Sequence, residues 1–282
     1  MRNTDSPFIS IIIATFQAEA TVRRCLESIA RQGFLEREVI VIDGGSSDGT
    51  LNIIKKSSEV IWFLSEPDHG IYNAWNKGLA RARGEWICFL GADDTFFTDD
   101  VLERMAAYLR ARNADEVLFY GRLALLNVRG QVLGTVGEPW EKIQKRFLQV
   151  NCVPHTGAMH HRSMFDVGGF DERFRIAGDY ELLLRELRHR NARFVPEVTT
   201  VAMQQGGISS NPENALRSLL ETRRAQKKWG VAGRFPGNAW LFSWMRVLLR
   251  LSLTRVLGFE RTGILLDIGR RLTGSGAFWS RL

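Results

Sequence analysis

A chain of 282 residues, 45% hydrophobic and 24% charged, has ordinary globular composition, sufficient for a sizeable core and one or two domains. Its three cysteines, Cys25, Cys88 and Cys152, lie far apart with no C-x-x-C pair, which argues against a zinc site and a disulfide framework and fits a reducing cytosol. The formal net charge is +7, but eight arginines against Glu260 and Asp267 give residues 234–282 a net of +6, so the body is nearly neutral: this is not the evenly basic face of a nucleic-acid binder.

The amino-terminal stretch MRNTDSPF lacks an apolar signal region, and export by that route is not expected. Phe8–Ala14 is a continuous β-branched run of the kind that forms a strand buried on both faces, as in a parallel sheet. Thr21–Arg31 places Val22, Leu26 and Ile29 on one helical face. Glu38–Ile42 is a second buried strand, running into the polar turn Asp43-Gly44-Gly45-Ser46-Ser47-Asp48-Gly49-Thr50. A helix over Leu51–Ser57, a strand over Val60–Ser65 and a helix over Ile71–Arg83, capped by Gly84, follow. Trp86–Leu90 is a fourth buried strand and ends at Gly91-Ala92-Asp93-Asp94. This β-α-β-α-β-α-β order predicts a doubly wound α/β layer with a largely parallel sheet.

After a helix near Asp99–Arg112 the pattern changes. Val117–Tyr120, Leu123–Val128 and Val132–Gly134 read as strands, and Met164–Gly168 as a short helix. Asp179–Arg190 reads as a helix, and Arg193–Val195 and Val198–Met203 as closing strands. In the tail, Ala239–Leu253 aligns Ser243, Arg246, Arg250 and Thr254 in a polar stripe among Trp240, Phe242, Trp244 and several leucines. Its longest apolar stretch is far below the roughly 18 residues that span a bilayer. The tail therefore reads as an interfacial helix on an anionic membrane, with packing on the body or a second subunit as the alternative.

Ligands of open α/β sheets bind beyond the carboxyl ends of the strands. Three polar clusters fall there: Thr15-Phe16-Gln17, Asp43 to Asp48, and Asp93-Asp94. Adjacent carboxylates repel unless a cation or donors compensate them. As hard oxygen ligands, Asp93 and Asp94 suit Mg²⁺ or Mn²⁺ bridging a diphosphate; the pair also reads as a solvated turn. Asp43 is placed to accept from a base N–H or a ribose hydroxyl, or to order its own loop. Asp179 reads either as a helix cap or as a general base toward an acceptor hydroxyl. His155, ahead of His160-His161, belongs to no zinc pattern and is placed on the acceptor or phosphate side. The fingerprints G-x-G-x-x-G and G-x-x-x-x-G-K-[ST] are absent.

Six segments in order resemble the family 2 glycosyltransferases of the GT-A fold: Ile11–Gln17, Val41–Thr50, Ser65–Gly78, Phe89–Asp94, Gly168–Glu172 and Ala177–Leu182. The third is similar to the branch that builds bacterial exopolysaccharides, as colanic-acid-type enzymes do. The resemblance implies a GT-A domain over 1–233, with a nucleotide-sugar half to about 115 and an acceptor half from about 116, followed by a basic amphipathic helical tail over 234–282. It implies that Thr15, Gln17, Asp43, Asp68, Asn76 and Asp93 line the donor site and that Asp94, with Asp93, holds Mn²⁺ or Mg²⁺. Asp179 would be the base of an inverting transfer, with His155, Gly207 and Ser209 on the acceptor side.

Position 17 is Gln where the family often has Asn, and the acidic motif is Ala-Asp-Asp rather than Asp-x-Asp. The Q-x-x-R-W signature of polymerising members is absent, since Gln226-Lys227-Lys228-Trp229 has different spacing; one sugar per encounter is expected. The expected donor is a UDP-sugar, the acceptor a glycan or lipid-linked sugar, and the location cytoplasmic, at the inner face of the cell membrane. The competing enzyme, a sugar-nucleotide nucleotidyltransferase, needs a glycine-rich basic loop after the first strand, which Thr15–Ala20 lacks. A membrane-recruited inactive scaffold would not need Asp43, Asp93, Asp94 and Asp179.

Overall fold

Consecutive residues of a strand face opposite sides of a sheet, so a strand apolar at every position must be covered twice. The computed structural model, which describes residues 7–127, 129–204, 212–233 and 237–272, shows this arrangement. The chain runs β1 (Ile9–Thr15), α1 (Val22–Ala30), β2 (Arg37–Asp43), α2 (Thr50–Lys56), β3 (Trp62–Ser65), α3 (Ile71–Leu79), β4 (Trp86–Gly91), β5 (Thr95–Phe96) and α4 (Val101–Arg110). It continues through β6 (Glu116–Leu126), β7 (Val132–Val136), α5 (Trp140–Phe147), β8 (Met159–His161), a 3-10 turn (Arg162–Phe165), α6 (Gly178–Leu187), β9 (Asn191–Gln204), α7 (Pro212–Lys228), α8 (Asn238–Leu257) and α9 (Phe259–Leu272).

One sheet carries the strands in the order β3-β2-β1-β4-β8-β6-β9-β5, with β7 on β6. The β1–β2, β1–β4, β2–β3 and β6–β9 pairs are parallel and the other pairs antiparallel. The expected α/β layer is therefore present as a mixed, largely parallel sheet of the GT-A type. Ile12, Ile40, Ile42, Ile87 and Phe89 pack into a core with Tyr72 and Trp75 of α3 and the leucines of α6. Ile9, Ile11, Ile13, Val39, Val41, Cys88 and Leu90 fill the core under α1 and α4.

The second half departs from the pattern in the sequence. The two strands expected over 117–128 are one strand, β6, and the two closing strands are one, β9; register shifts near Tyr120 and Arg122 let polar residues ride in continuous strands. Helix α3 ends at Leu79 rather than at Arg83. Gly84 is not its cap: the Gly84 amide donates to Ser10 Oγ at 2.7 Å, and a Cβ there would lie 2.5 Å from the Ser10 nitrogen. Helices α5 and α7 and strand β8 lie where no element was expected, whereas α9 falls within the expected helical tail. The tail is a pair of helices, α8 and α9, packed on each other, with α8 also against α7.

Candidate active site

The parallel registers put Thr15, Asp43 and Ser65 in one row across the carboxyl ends of β1, β2 and β3. Side chains in one row of a pleat face the same way. Thr15 Oγ1 and Ser65 Oγ accordingly both donate to Asp43, at 3.1 and 2.6 Å, and Ser46 adds its hydroxyl at 2.5 Å and its amide at 3.0 Å. Burial alone would push the Asp43 carboxyl up, but these donors outweigh it and hold it below the usual carboxylate range. Asp43 is thus a fixed anion at the floor of the crevice.

Gln17, Asp68 and Asn76 are three more of the expected donor residues. Gln17 has a φ of +49°, in the left-handed region, where Asn is favoured over Gln; its amide group donates to Ser47 Oγ at 2.9 Å, and its backbone N–H to Ser46 Oγ. Asp68 stands over Gly44, where a Cβ would meet Asp68 Oδ2 at 2.7 Å, and its Oδ1 accepts from the Gly70 amide. Asn76 is committed within the protein: Nδ2 donates to Phe170 O and Glu172 Oε1, and Oδ1 accepts from Phe170 N. It ties α3 to the segment Phe170–Glu172 ahead of α6.

At the end of β4, Asp93 and Asp94 curl back over Gly91: a Cβ there would lie 2.8 Å from Asp93 Oδ1 and 3.1 Å from Asp94 Oδ2. Asp94 is 4% exposed. Its Oδ2 accepts from the Gly91 amide at 2.8 Å, and its buried Oδ1 has no hydrogen-bond partner among the described residues. Burial and the charge of Asp93 push the Asp94 carboxyl up to about 8. An orphaned buried oxygen beside a second carboxylate fits a hard divalent cation. Among the described residues no group of three or more His, Cys, Asp or Glu could hold a metal ion. The protein would therefore supply Asp94 and Asp93, and a diphosphate and water the remaining positions.

Asp179 lies in the first turn of α6, where the backbone N–H of Tyr180 and its own N–H meet its carboxylate. Its carboxylate turns to Tyr72 Oη at 3.2 Å and Asn151 Nδ2 at 3.1 Å. Burial raises its pKa against the backbone and side-chain hydrogen bonds to it, and a carboxylate made more basic suits a proton acceptor. His155, expected on the acceptor side, is 6% exposed and sits in an aromatic cluster with Trp75, Phe89 and Phe170. The Ile87 carbonyl can only accept, so His160 Nδ1 carries a proton, and His155 Nδ1–H donates to His160 Nε2 at 3.1 Å. Burial, then His160, holds His155 well below its ordinary pKa. Gly207 and Ser209 lie outside the described residues.

Four contributors had no signal of their own in the sequence. Ser65 and Ser46 order Asp43, and Tyr72 and Asn151 order Asp179. A cavity of about 590 Å³ lies elsewhere, at the amino ends of β1 and β4 between Phe8, Glu36, Arg83 and His161. Its arginines are committed to internal partners, Arg83 to Glu38 and Arg162 to the carbonyls of Ala82 and Gly84. Open α/β sheets bind ligands at the other end.

Comparison with known proteins shows the family and the fold. A family model described as glycosyl transferase family 2 matches residues 10–172. A PGL/p-HBAD biosynthesis glycosyltransferase of Mycobacterium tuberculosis is 31% identical over 212 residues, covering 73% of this chain and 80% of that one. An uncharacterized glycosyltransferase of the same species is 31% identical over 252 residues, covering 84% and 91%. Among solved structures, Staphylococcus aureus TarS in complex with UDP-GlcNAc superimposes with a TM-score of 0.62 at 19% identity, over 93% of this chain and 77% of that one. The mannosyltransferase PcManGT of Pyrobaculum calidifontis, in complex with GDP-Man and Mn²⁺, gives 0.62 at 16% identity, over 96% and 81%. At such identity the structural likeness speaks for the GT-A fold, while the family match and the curated relatives speak for the class: the chain belongs to glycosyl transferase family 2.

Proposed function

We propose that this glycosyltransferase moves one sugar, with inversion, from a nucleoside-diphosphate sugar to a hydroxyl of a glycan or lipid-linked acceptor in exopolysaccharide or lipid-linked glycan assembly. A UDP-sugar is the favoured donor. The observation that carries the reading is the hydrogen-bonded row Thr15–Asp43–Ser65 at the carboxyl ends of three parallel strands, with Asp68 over Gly44, the Gly70 amide donating to Asp68 and, two residues on, Tyr72 meeting Asp179. The nucleoside would lie on the Asp43 row, walled by Gln17 and Asp68, with Asp93 toward the ribose. Asp94 and Asp93 would hold Mn²⁺ or Mg²⁺, which when bound supplies Lewis-acid neutralisation of the leaving diphosphate. The complexes of TarS with UDP-GlcNAc and of PcManGT with GDP-Man and Mn²⁺ support a nucleotide-sugar donor and a divalent cation.

Asp179 then takes the proton of the acceptor hydroxyl as its oxygen bonds to the anomeric carbon. The bond from that carbon to the diphosphate breaks, with its electron pair leaving on the nucleotide. Release of free sugar from UDP-GlcNAc, UDP-glucose and GDP-mannose, with Mn²⁺ or with EDTA, tests the reading. One donor should turn over in a metal-dependent manner, and Asp94→Ala and Asp179→Asn should each lower the rate at least a hundredfold with unchanged circular dichroism. Near-normal turnover by the Asp179 variant would remove the base from the scheme.

We further propose that the basic tail seats the enzyme on the cytoplasmic face of the cell membrane. Among the described residues no helix is long and apolar enough to cross one. Residues of α8 and α9 such as Phe242, Met245, Leu249 and Ile264 are exposed beside Arg246, Arg255 and Arg261, which supports interfacial contact.

A further inference from the structure

The Tyr72 hydroxyl carries one proton and faces two acceptors. Ile176 O lies 2.7 Å away and Asp179 Oδ1 3.2 Å away. A carbonyl oxygen can only accept, and at 2.7 Å the proton belongs to that bond. The longer contact is then a hydrogen bond only when Asp179 itself holds a proton and donates it to Tyr72 Oη. Once Asp179 ionises, the same hydroxyl can swing about its C–O bond to donate to Oδ1, while Asn151 Nδ2 already donates to Oδ2 at 3.1 Å.

We infer that Tyr72 is a positioning residue whose hydroxyl toggles between the Ile176 carbonyl and Asp179, following the protonation of the base. This rests on the assignment of Asp179 as base and adds to it. In the ionised enzyme Tyr72 and Asn151 each hold one carboxylate oxygen, leaving free lone pairs on both for the acceptor hydroxyl. When that hydroxyl gives its proton to Asp179, the Tyr72 O–H returns to Ile176 O. No proton leaves Tyr72 in the cycle.

The ring is fixed for this role. It stacks on Phe170 at 5.4 Å, meets Trp75 edge-on at 5.7 Å and covers Gly178, where a Cβ would lie 2.7 Å from it. The other charged groups on the packed elements are engaged elsewhere. Glu221 of α7 accepts the amides of Arg175, Ile176 and Ala177; Glu181 of α6 pairs with Lys228; and the Arg175 guanidinium lies against Gly70. Tyr72 and Asn151 are the two side chains bonded to the Asp179 carboxylate among the described residues.

The test is direct titration of Asp179 in the full chain, labelled with ¹³C at aspartate side-chain carboxyls and assigned by the signal lost in Asp179→Asn. Losing a donor to the ionised form should move the midpoint up by about one pH unit in Tyr72→Phe, and in the same direction in Asn151→Ala, with the larger shift in the double variant. In turnover of UDP-GlcNAc or GDP-mannose, whichever is hydrolysed, the acid limb should move with the titration, about tenfold in rate per unit, and the rate should recover at higher pH. An unmoved or lowered midpoint in Tyr72→Phe overturns the toggle; if that variant does not fold, the Asn151→Ala midpoint decides. Should the titration shift but Asp179→Asn keep its turnover, the toggle stands and the base assignment falls. A silent Asp179→Asn with an unmoved Tyr72→Phe midpoint means the reverse.

Discussion

The surroundings of Asp94 disfavour its charged form: burial, and then the charge of Asp93, push its carboxyl up to about 8. An unfolded aspartate titrates near 3.9. Between those values the folded, metal-free state holds a proton that the unfolded chain has released, so stability falls as pH rises through this window. The cost is roughly 1.4 kcal/mol for each pH unit climbed. Asp94→Asn removes it. In EDTA at pH 8 this variant should melt several degrees above the unmodified protein, and at pH 4 the two should nearly coincide. Mn²⁺ with UDP should raise the melting temperature of the unmodified protein and leave the variant unmoved. Equal melting temperatures at both pH values would mean that Asp94 is not an uncompensated buried acid. The stability gained on losing a carboxylate is the sign of a residue kept for its ligand.

Helix α7 straps down the segment that leads to Asp179, the proposed base. Glu221 accepts three consecutive amides, Arg175, Ile176 and Ala177, in the segment that enters α6, and Gln226 donates to Gln149 O and Tyr180 Oη. Glu221→Ala would leave three N–H groups without an acceptor, at about 1–3 kcal/mol for each one that water does not reach. We expect a loss of about 3 kcal/mol in urea unfolding, and a fall in turnover larger than the change in donor affinity, since α6 carries Asp179 and not the donor floor. Unchanged stability would show the strap to be slack. This helix illustrates what the sequence conceals. β1, β2 and β4 are legible because a strand covered on both faces must be apolar throughout, and their polar ends mark the crevice. α7 is largely polar, and its anchors are single residues whose partners lie more than 40 positions away. The same holds within the site. The carboxylates were legible as types at strand ends, but Asn76 bonded to Phe170 and His155 enclosed by Trp75 and Phe89 depend on contacts across the fold.

The charge of the molecule is gathered at one end: residues 234–282 hold +6 of its net +7. An apolar helix pair kept for packing alone would bury its large side chains, yet Leu241, Phe242, Met245, Leu249, Val256, Ile264, Leu265 and Ile268 are exposed, with Arg246, Arg255 and Arg261 between them. Exposed apolar area of this extent marks an interaction surface, and interspersed arginine selects an anionic one. Each arginine near an anionic bilayer contributes about 1 kcal/mol, and that part is screened by salt, whereas apolar insertion is not. The two contributions can therefore be separated. The full chain should co-sediment with phosphatidylglycerol vesicles at low salt and much less with phosphatidylcholine vesicles. Arg246→Glu with Arg255→Glu should abolish the preference for the anionic lipid. Phe242→Ser with Leu249→Ser should weaken binding equally at low and high salt, because it removes the unscreened part. Equal sedimentation with both lipids would remove the role of the arginines, and none with either alongside a concentration-dependent doubling of mass in light scattering would assign the surface to a second copy of the chain and withdraw the membrane.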